Sequence, residues 1–325
     1  MTNKAAIVGA GLAGLSCART LRLAGFSVDV FEQEHTIGGR LATTRIGTDT
    51  FDHGAPYVSA RSKEFNGYLS EISGLGYAER WTPRAASHGN NDSGQIDHWI
   101  VGTPGMSSLV RPLAKSVHVT TGRRVHALER RDKSWHVWFD DETSAGPFQV
   151  VAVAAPASEA RRLLDGIEEL VAPLSRVRMA PCWSLMVRIE DRVMPEQDVF
   201  SGVSDVIRWV ARNSTKPGRN RRGETIVVHA TPGWSRDAEN LDPETVAEEL
   251  WGEVSHALGL PPIRPSRMTA HLWRQGLVDQ PLGETCLYSS EHRAGVAGDW
   301  CIGPLAEHAF ESGDRLGREI VSSLR

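Results

Sequence analysis

Three glycines near the start of the chain have a spacing that suits a phosphate-binding turn: Gly9, Gly11 and Gly14. They follow the apolar run Ala5–Val8 and precede a segment rich in Ala and Leu, which predicts strand, tight turn and helix in that order. The first glycine permits the turn, the second lets a pyrophosphate approach the backbone, and the third lets helix and strand pack closely. The N–H groups at the start of the helix would then face the phosphates.

A carboxylate strengthens this interpretation, because the glycine spacing alone also occurs in ordinary packing turns. A second predicted strand, SVDVFEQ, begins at Ser27 and carries Glu32 near its end. A carboxylate about 20 residues beyond the glycine turn can accept hydrogen bonds from a ribose. The sequence therefore predicts a dinucleotide site.

Two further small-residue turns bear on which dinucleotide is bound. Gly38, Gly39 and Arg40 follow the second strand, and Gly298–Asp299 follows a short predicted strand near the C-terminus. A nicotinamide dinucleotide needs one glycine turn, whereas a flavin dinucleotide needs a second turn to hold its ribityl chain and ring. The glycines at 38 and 39 would offer backbone N–H groups to the pyrophosphate, and Arg40 would add charge. We therefore predict FAD.

The elements that must position these residues alternate between helix and strand. Helical periodicity is found over five segments: Ser62–Ser73, Met106–Lys115, Ser158–Glu169, Asp242–Leu258 and Glu307–Leu324. The segments His118–Asp140 and Phe148–Pro156 have strand patterns, and the second has the continuous apolar run of a buried parallel strand. The middle of the chain, Met179–Trp273, is rich in strands with one helix.

These patterns predict an α/β fold in which a strand-rich substrate domain is inserted into a Rossmann-like FAD-binding domain. The predicted FAD-binding domain comprises residues 1–60, 102–165 and 285–325, and the substrate domain comprises residues 61–101 and 166–284. Inserted domains of this kind bind ligands where they meet the nucleotide domain.

Composition narrows the classes of function. The 325 residues are 23% charged with a net charge of −4, so no overall charge attracts nucleic acid or an anionic membrane. No apolar run is long enough to span a bilayer, and the first strand begins too early to leave room for a signal peptide, so we expect a cytoplasmic protein. The four cysteines are scattered without metal-ligand spacing, which predicts buried free thiols and no metal. The oligomeric state stays open.

The order of motifs along nearly the whole chain resembles the renalase family, a branch of the FAD-dependent amine-oxidase-like superfamily. The motifs are GAGLAGL, FEQ, GGR, FDHGAPYVSAR, WVARNSTKPGR, VVHATPGWS, HLW and GDWC. The resemblance implies a two-domain flavoprotein with non-covalent FAD. It also implies oxidation of the 2-dihydro and 6-dihydro isomers of NAD(P) to NAD(P)+, with O2 reduced to hydrogen peroxide.

The resemblance also implies residue roles. The implied contacts cover the adenosine and pyrophosphate half of FAD, its adenine, which the backbone of Val125 contacts, and its ribityl chain. The residues that make these contacts are Gly9, Gly11, Ala13, Gly14, Glu32, Gly39, Arg40, Val125, Gly298 and Asp299. The residues implied at the flavin face are Tyr57, Asn213, His271 and Trp300. The sequence departs from the family at Pro56, where members commonly carry Gln, and after His271, where Arg274 is a candidate replacement for a lost cation.

The substrate class has an alternative. A dihydropyridine can expel hydride without a base, so it needs orientation more than proton transfer. An amine must first lose a proton, and amine oxidases of this superfamily tend to hold the substrate nitrogen between aromatic rings. This chain has four tyrosines and ten tryptophans, so an amine or other small-molecule oxidase stays open, as does a flavin protein without turnover. A basic run could guide a pyrophosphate or could be a solvated loop: Lys216, Arg219, Arg221 and Arg222.

Overall fold

The computed structural model describes residues 3–87 and 99–324, so part of the predicted substrate-domain segment 61–101 lies outside the described residues. The strands, numbered in chain order, are β1 Lys4–Val8, β2 Ser27–Phe31, β3 Thr44–Ile46, β4 Asp49–Phe51, β5 Ala78–Trp81, β6 Ala85–Ser87, β7 Trp99–Gly102, β8 His118–Thr120, β9 Val125–Arg131, β10 Ser134–Phe139, β11 Ser144–Phe148, β12 Val150–Val153, β13 Arg178–Ile189, β14 Val199–Ser201, β15 Ile207–Arg212, β16 Glu224–Ala230, β17 Arg267–Gln280, β18 Leu287–Ser289 and β19 Ala294–Val296.

The helices are α1 Leu12–Leu23, α2 Lys63–Gly74, α3 Arg111–Ala114, α4 Ala157–Leu163, α5 Glu168–Leu174, α6 Pro232–Asp237, α7 Pro243–Ala257, α8 Asp299–Ile302 and α9 Ala306–Ser323, with single 3-10 turns at Gly39–Leu41, Met106–Val110 and Asn213–Thr215. No helix in the described ranges is long and apolar enough to cross a membrane.

The first sheet is the Rossmann-like one, with strand order β18–β19–β12–β1–β2–β8. Its pairs are parallel except for β18, which runs antiparallel to β19. All four residues of β12 are buried apolar side chains, as the sequence predicts for a parallel strand covered on both faces. The turns after β1, β2 and β19 therefore meet at one edge of this sheet.

Helices α1 and α9 pack against each other on one face of this sheet. The contact is close because Gly313 of α9 lies over the carbonyl of Ala13, where an added Cβ would come within 1.9 Å of the oxygen. The Ser16 hydroxyl donates to the Phe310 carbonyl at 2.8 Å, and the Thr20 hydroxyl donates to Asp314 at 2.6 Å. Residues distant in sequence thus complete one helical layer.

The other face is covered by the antiparallel meander β9–β10–β11 and by α4 and α5, which share one hydrophobic cluster with β12. Helical periodicity predicts a single helix over Ser158–Glu169, and this prediction is wrong in one respect. The segment forms α4 and α5, with a break around Gly166. Gly166 has φ +87°, a left-handed conformation that ends a helix and favours glycine.

The second sheet has strand order β17–β13–β16–β15–β14–β6 and is antiparallel except between β14 and β6. Its back face packs on α7 through a buried apolar cluster. The middle segment contains two helices, α6 and α7, where one was predicted, because α6 is too short to show periodicity. The opposite face, which we call the front face, carries alternate side chains of the same strands and packs on Phe51 of β4. The segment after β4 contacts the GGR turn, since the Ala55 N–H donates to the Arg40 carbonyl at 2.8 Å.

The strands of the Rossmann-like sheet all come from residues 1–60, 102–165 and 285–325, and those of the second sheet from residues 61–101 and 166–284. Helix α2, however, packs with Phe310 and Leu15 in the cluster under the first sheet, although it belongs to the segment 61–101. As a division into domains, the proposed boundaries stay a prediction.

Candidate cofactor and substrate site

The first glycine turn is tightly packed on the sheet side and open on the other side. Gly9 has φ +100°, and an added Cβ would lie 2.7 Å from the Ala154 carbonyl oxygen. An added Cβ on Gly14 would lie 2.0 Å from the Gly9 oxygen, whereas nothing lies within 4 Å of one on Gly11. Helix α1 begins directly after Gly11 without a side-chain cap. Free space beside an uncapped helix N-terminus is what a pyrophosphate requires.

The segment Gly38–Arg40 lies against this turn. The Gly38 N–H donates to the Ala10 carbonyl at 2.9 Å, and an added Cβ on Gly39 would be 3.6 Å from the Cα of Gly11. Gly38 and Gly39 have φ of +120° and +54°, so both adopt left-handed backbone that favours glycine. The second pair of glycines thus lets two backbone segments approach the same open space.

Glu32 lies at the end of β2 and is bound to the first turn. Its carboxylate accepts from the Ala10 N–H at 2.8 Å and from the Glu34 N–H at 3.0 Å. Burial raises the pKa of this carboxyl, while the two backbone hydrogen bonds oppose the increase. Each oxygen keeps a further lone pair, so the carboxylate can also accept a ribose hydroxyl.

Arg40 and Asp299 join two of the predicted cofactor segments directly. The Arg40 guanidinium donates two hydrogen bonds to the Asp299 carboxylate, at 2.7 and 2.5 Å. Asp299 opens α8 and also accepts from the Trp300 N–H at 2.8 Å. The GGR turn and the GD turn, more than 250 residues apart, therefore meet at the same place.

Trp300, which is predicted at the flavin face, lies in the interior beside the GD turn. Its side chain is 1% exposed, and its indole N–H donates to the Ala155 carbonyl at 3.1 Å. An added Cβ on Gly298 would lie 2.3 Å from the indole nitrogen, so Gly298 leaves room for this ring. Protein atoms cover the indole on all sides, which makes Trp300 a support beneath the GD turn. Val125 is likewise buried, at the start of β9.

Tyr57 is half-buried in a group of aromatic rings at one end of the front face. Its ring stacks on Trp99 with centroids 4.1 Å apart and planes 9° apart, and it lies 5.7 Å from Trp209. Trp81 lies 5.6 Å from Trp99 on the far side. The Tyr57 and Trp99 rings touch, so no gap between this pair could hold a substrate nitrogen.

His271 belongs to a row of side chains that crosses four strands of the front face. It is paired in register with Ser184 of β13, which is paired with His229 of β16, which is paired with Trp209 of β15. Directly opposed residues in antiparallel strands have Cβ atoms about 5 Å apart, so neighbours in this row can interact. His271 is exposed, and the other three are buried or half-buried. We call this set the front-face row.

His53 covers part of the front-face row from the FDHGAPY segment. Its ring stacks on Trp273 with centroids 5.2 Å apart and meets His271 edge-on at 5.0 Å. The Trp273 indole donates to the His53 carbonyl at 2.9 Å, and the Thr44 hydroxyl lies 3.0 Å from His53 Nε2. His271 and His229 therefore flank Ser184 on the neighbouring strands, and His53 and Trp273 pack beside His271.

These imidazoles are uncharged near neutral pH. Burial, then the neighbouring His271, lowers the pKa of His53 to about 4. Burial, then the charge of Arg208, lowers the pKa of His229 to about 3. Partial burial also lowers the pKa of His271. Desolvation disfavours the charged form of each ring, so the row presents neutral groups.

Several buried polar atoms around the row have no hydrogen-bond partner among the described residues: Ser184 Oγ, His229 Nε2, Trp209 Nε1, His53 Nδ1 and Asn213 Oδ1. Each such atom costs about 1–3 kcal/mol if it stays unpaired, so the group is suited to polar ligands or water. Asn213, which is predicted at the flavin face, has a fully buried side chain whose amide donates to the Thr50 carbonyl at 2.8 Å.

The basic run is divided between interior and surface. Asp52 is fully buried and pairs with Lys216 at 3.0 Å and Arg219 at 2.6 Å. Burial opposes ionisation of Asp52, but the two cations hold its pKa well below the usual range. Lys216 and Arg219 are therefore not available to guide a substrate phosphate. Because they are buried, they do not belong to a solvated loop either. Arg221 and Arg222 are exposed.

The remaining predictions concern Arg274, the cysteines and metal binding. Arg274 forms an exposed ion pair with Glu239 at 2.6 Å, so it does not supply a cation to the front-face row. All four cysteines are free, with Cys286 half-buried and the others buried. No set of three His, Cys, Asp or Glu side chains in residues 3–87 and 99–324 is arranged to hold a metal.

The described elements form an α/β protein with a Rossmann-like nucleotide-binding sheet and a second, mainly antiparallel sheet. A family model described as flavin-containing amine oxidoreductase matches residues 85–320, and one described as an NAD(P)-binding Rossmann-like domain matches residues 7–72. The chain belongs to the flavin-containing amine oxidoreductase family.

Solved structures share the fold across the whole chain. A protein assigned as a protoporphyrinogen oxidase from Exiguobacterium sp. 255-15 is 12% identical, with a TM-score of 0.79 and 99% of each chain covered. Cyclohexylamine oxidase from Brevibacterium oxydans IH-35A is 13% identical, with a TM-score of 0.77 and 100% of each chain covered. A redesigned triple mutant of putrescine oxidase is 14% identical, with a TM-score of 0.75 and 99% of each chain covered. At identities this low, the similarity to these three structures shows a shared fold and nothing more.

The buried histidines give a prediction for stability against pH. The unfolded chain binds a proton at each histidine near pH 6.5, whereas folded His229 stays neutral to about pH 3, so folding stability falls as the pH drops below about 6.5. We expect His229 to account for ~2 kcal/mol of the loss in unfolding free energy between pH 7 and pH 5.

Urea unfolding at pH 7 and pH 5 tests this with His229→Gln. Between the two pH values, the unfolding free energy of this variant should fall by ~2 kcal/mol less than that of the wild type. His256→Gln, on an exposed position of α7, is the matched control and should follow the wild type. An unchanged pH dependence in His229→Gln would contradict the burial of a neutral ring.

Proposed function

We propose that the chain is an FAD-dependent oxidase that takes hydride from 2-dihydro and 6-dihydro isomers of NAD(P) and reduces O2 to hydrogen peroxide. The open space at Gly11 and the adjoining turns support FAD as the cofactor. In this proposal Gly11, Ala13 and Gly39 contact the pyrophosphate through backbone N–H groups, and Glu32 accepts the adenosine ribose.

Arg40 and Asp299 would then exchange part of their mutual ion pair for contacts with the cofactor. The guanidinium has donors beyond the two it uses, which suit phosphate oxygens, and the carboxylate can accept from ribityl hydroxyls. Bound FAD would supply a flat ring that accepts hydride at N5 and passes the electrons to O2.

The observation that carries the substrate assignment is the uncharged character of the front-face row. A dihydropyridine ring is flat and neutral, and it becomes aromatic by losing hydride alone, so the protein needs to orient it and exclude water. His271, Trp273 and Tyr57 offer partly exposed ring faces for this purpose. Asp52, which could otherwise supply a negative charge close by, is held by two cations.

Oxidation of an amine is the second candidate, and the family assignment favours it. It would require a pocket for an amine nitrogen and a group that receives its proton. The contact between Tyr57 and Trp99 argues against this pair as such a pocket, and His53 and Trp273 also touch. The dihydropyridine proposal therefore fits the described rings better.

Anaerobic mixing of the yellow protein with four reductants tests the proposal: 2-dihydroNAD, 6-dihydroNAD, ordinary NADH and benzylamine. We expect the two isomers to bleach the visible flavin band within seconds, while NADH and benzylamine leave it unchanged over the same time. Bleaching by the amine at a rate that increases with its deprotonation would favour the second candidate. No bleaching by either isomer would overturn the proposal.

A further inference from the structure

Arg208 occupies an irregular position in β15. The pairing of β15 with β16 passes from Ile207 opposite Ala230 to Trp209 opposite His229, so Arg208 is an extra residue. Such a bulge places two residues opposite one and redirects a side chain relative to regular alternation. Arg208 therefore need not point to the back face, as alternation with Trp209 would require.

The charge of Arg208 acts on the front face. Burial, then this charge, lowers the pKa of His229 on the neighbouring strand β16. Burial raises the pKa of Cys182 on β13 to about 11, and the Arg208 charge opposes that increase. Cys182 is paired in register with Trp273, two positions from Ser184, so both affected groups lie on the front face. Ile207, by contrast, is buried in the cluster on the back face. The charge of Arg208, at the bulge, is thus close to the front-face row.

Arg208 is exposed and forms no ion pair with a carboxylate in the part of the chain that the structure describes. Other cations near the site are occupied, since Lys216 and Arg219 hold Asp52 and Arg274 holds Glu239. Arg40 is bound to Asp299 on the cofactor side. An unpaired guanidinium beside a neutral aromatic surface leaves five N–H donors for an anionic ligand.

We infer that Arg208 binds the pyrophosphate of the pyridine dinucleotide substrate and so sets the direction in which the substrate lies along the front-face row. This inference rests on the proposed function. The dihydropyridine ring then lies toward His271 and Trp273, at the end of the row away from β15. The planar fork of arginine matches two phosphate oxygens at once, which fixes orientation as well as affinity.

The dimensions agree with this placement. Strands β15 and β17 are separated by three strand spacings, about 14 Å across the sheet. A ring joined to its pyrophosphate through one ribose can cover part of this distance and an extended arginine side chain the rest, whereas an amine without phosphate has nothing to place on Arg208.

Substrates that differ only in phosphate test the inference. The Kd and the rate of anaerobic flavin reduction would be measured for 2-dihydroNAD, the corresponding mononucleotide and the corresponding riboside, with wild type, Arg208→Ala, Arg208→Lys and Arg264→Ala. Arg264 is the control, because it is an exposed arginine in the loop behind the sheet, next to Ile263 of the back-face cluster. NAD+ binding, followed by its effect on the flavin spectrum, adds a readout without turnover.

We expect Arg208→Ala to raise the Kd of the dinucleotide and of NAD+ about 10- to 100-fold, since a charged hydrogen-bond pair is lost. The riboside should bind all four proteins equally, and Arg208→Lys should fall between wild type and Arg208→Ala. Equal dinucleotide affinity in wild type and Arg208→Ala, with the isomers still oxidised, would overturn the inference alone. If the wild type oxidises none of the three, the proposed function and this inference both fail.

Discussion

Replacement of Asp52 by Asn is expected to lower the free energy of unfolding by about 3–5 kcal/mol, because it leaves two buried cations without their counter-charge. The Asp52 carboxylate also accepts from the Thr43 hydroxyl at 2.8 Å and from the Met106 N–H at 3.0 Å. Three segments, which contain Thr43, Met106 and the pair Lys216 and Arg219, therefore depend on one carboxylate. Urea unfolding followed by tryptophan fluorescence measures the change.

Asp191→Asn is the matched control, since Asp191 is exposed, and its stability should lie within about 0.5 kcal/mol of the wild type. Combining Asp52→Asn with Lys216→Met removes one of the unpaired charges, so the double variant should be more stable than Asp52→Asn alone. If the free energy of unfolding of Asp52→Asn were less than 1 kcal/mol below that of the wild type, water would already stabilise Lys216 and Arg219.

Gly14→Ala is expected to yield a protein with little or no bound flavin. An added Cβ lies 2.0 Å from the Gly9 carbonyl oxygen, so α1 must move away from the turn that we propose binds the pyrophosphate. Overpacking costs about 1–3 kcal/mol where side chains can adjust, which corresponds to roughly 10- to 100-fold in affinity. Here backbone must adjust, so we expect the upper end of that range or more.

Gly67→Ala provides the comparison for Gly14→Ala. Gly67 is an exposed glycine inside α2 with nothing within 4 Å of an added Cβ, so alanine should leave flavin content unchanged and stabilise the helix slightly. Flavin absorbance per chain and far-ultraviolet circular dichroism distinguish loss of cofactor from loss of fold. Wild-type flavin content in Gly14→Ala would contradict the assignment of this turn.

The cofactor side of the site could be predicted from sequence because its requirements are local. A turn needs glycine where its backbone is left-handed or where another backbone segment approaches it closely, as at Gly9 and Gly38. The carboxylate of Glu32 then follows at the end of the next strand. The meeting of Arg40 with Asp299 is not local, but each lies in a recognisable turn.

The substrate side could be predicted only in part. The front-face row draws one residue from each of four strands, and register between distant strands cannot be derived from a single sequence. The sequence does carry one signal, since Ser184 and His229 each interrupt an apolar run within β13 and β16. The burial of Lys216 was also not predictable, because its partner Asp52 lies 164 residues away.

The packing of α1 against α9 has a consequence for how the protein is made. Ser16 and Phe310 are 294 residues apart, so at the usual 5–20 residues per second a ribosome needs roughly 15–60 s to bring the second after the first. During that interval the apolar side of α1 lacks the helix that covers it. The nascent chain therefore exposes this apolar surface until α9 has been made, and only then is the helical layer beside the first glycine turn complete.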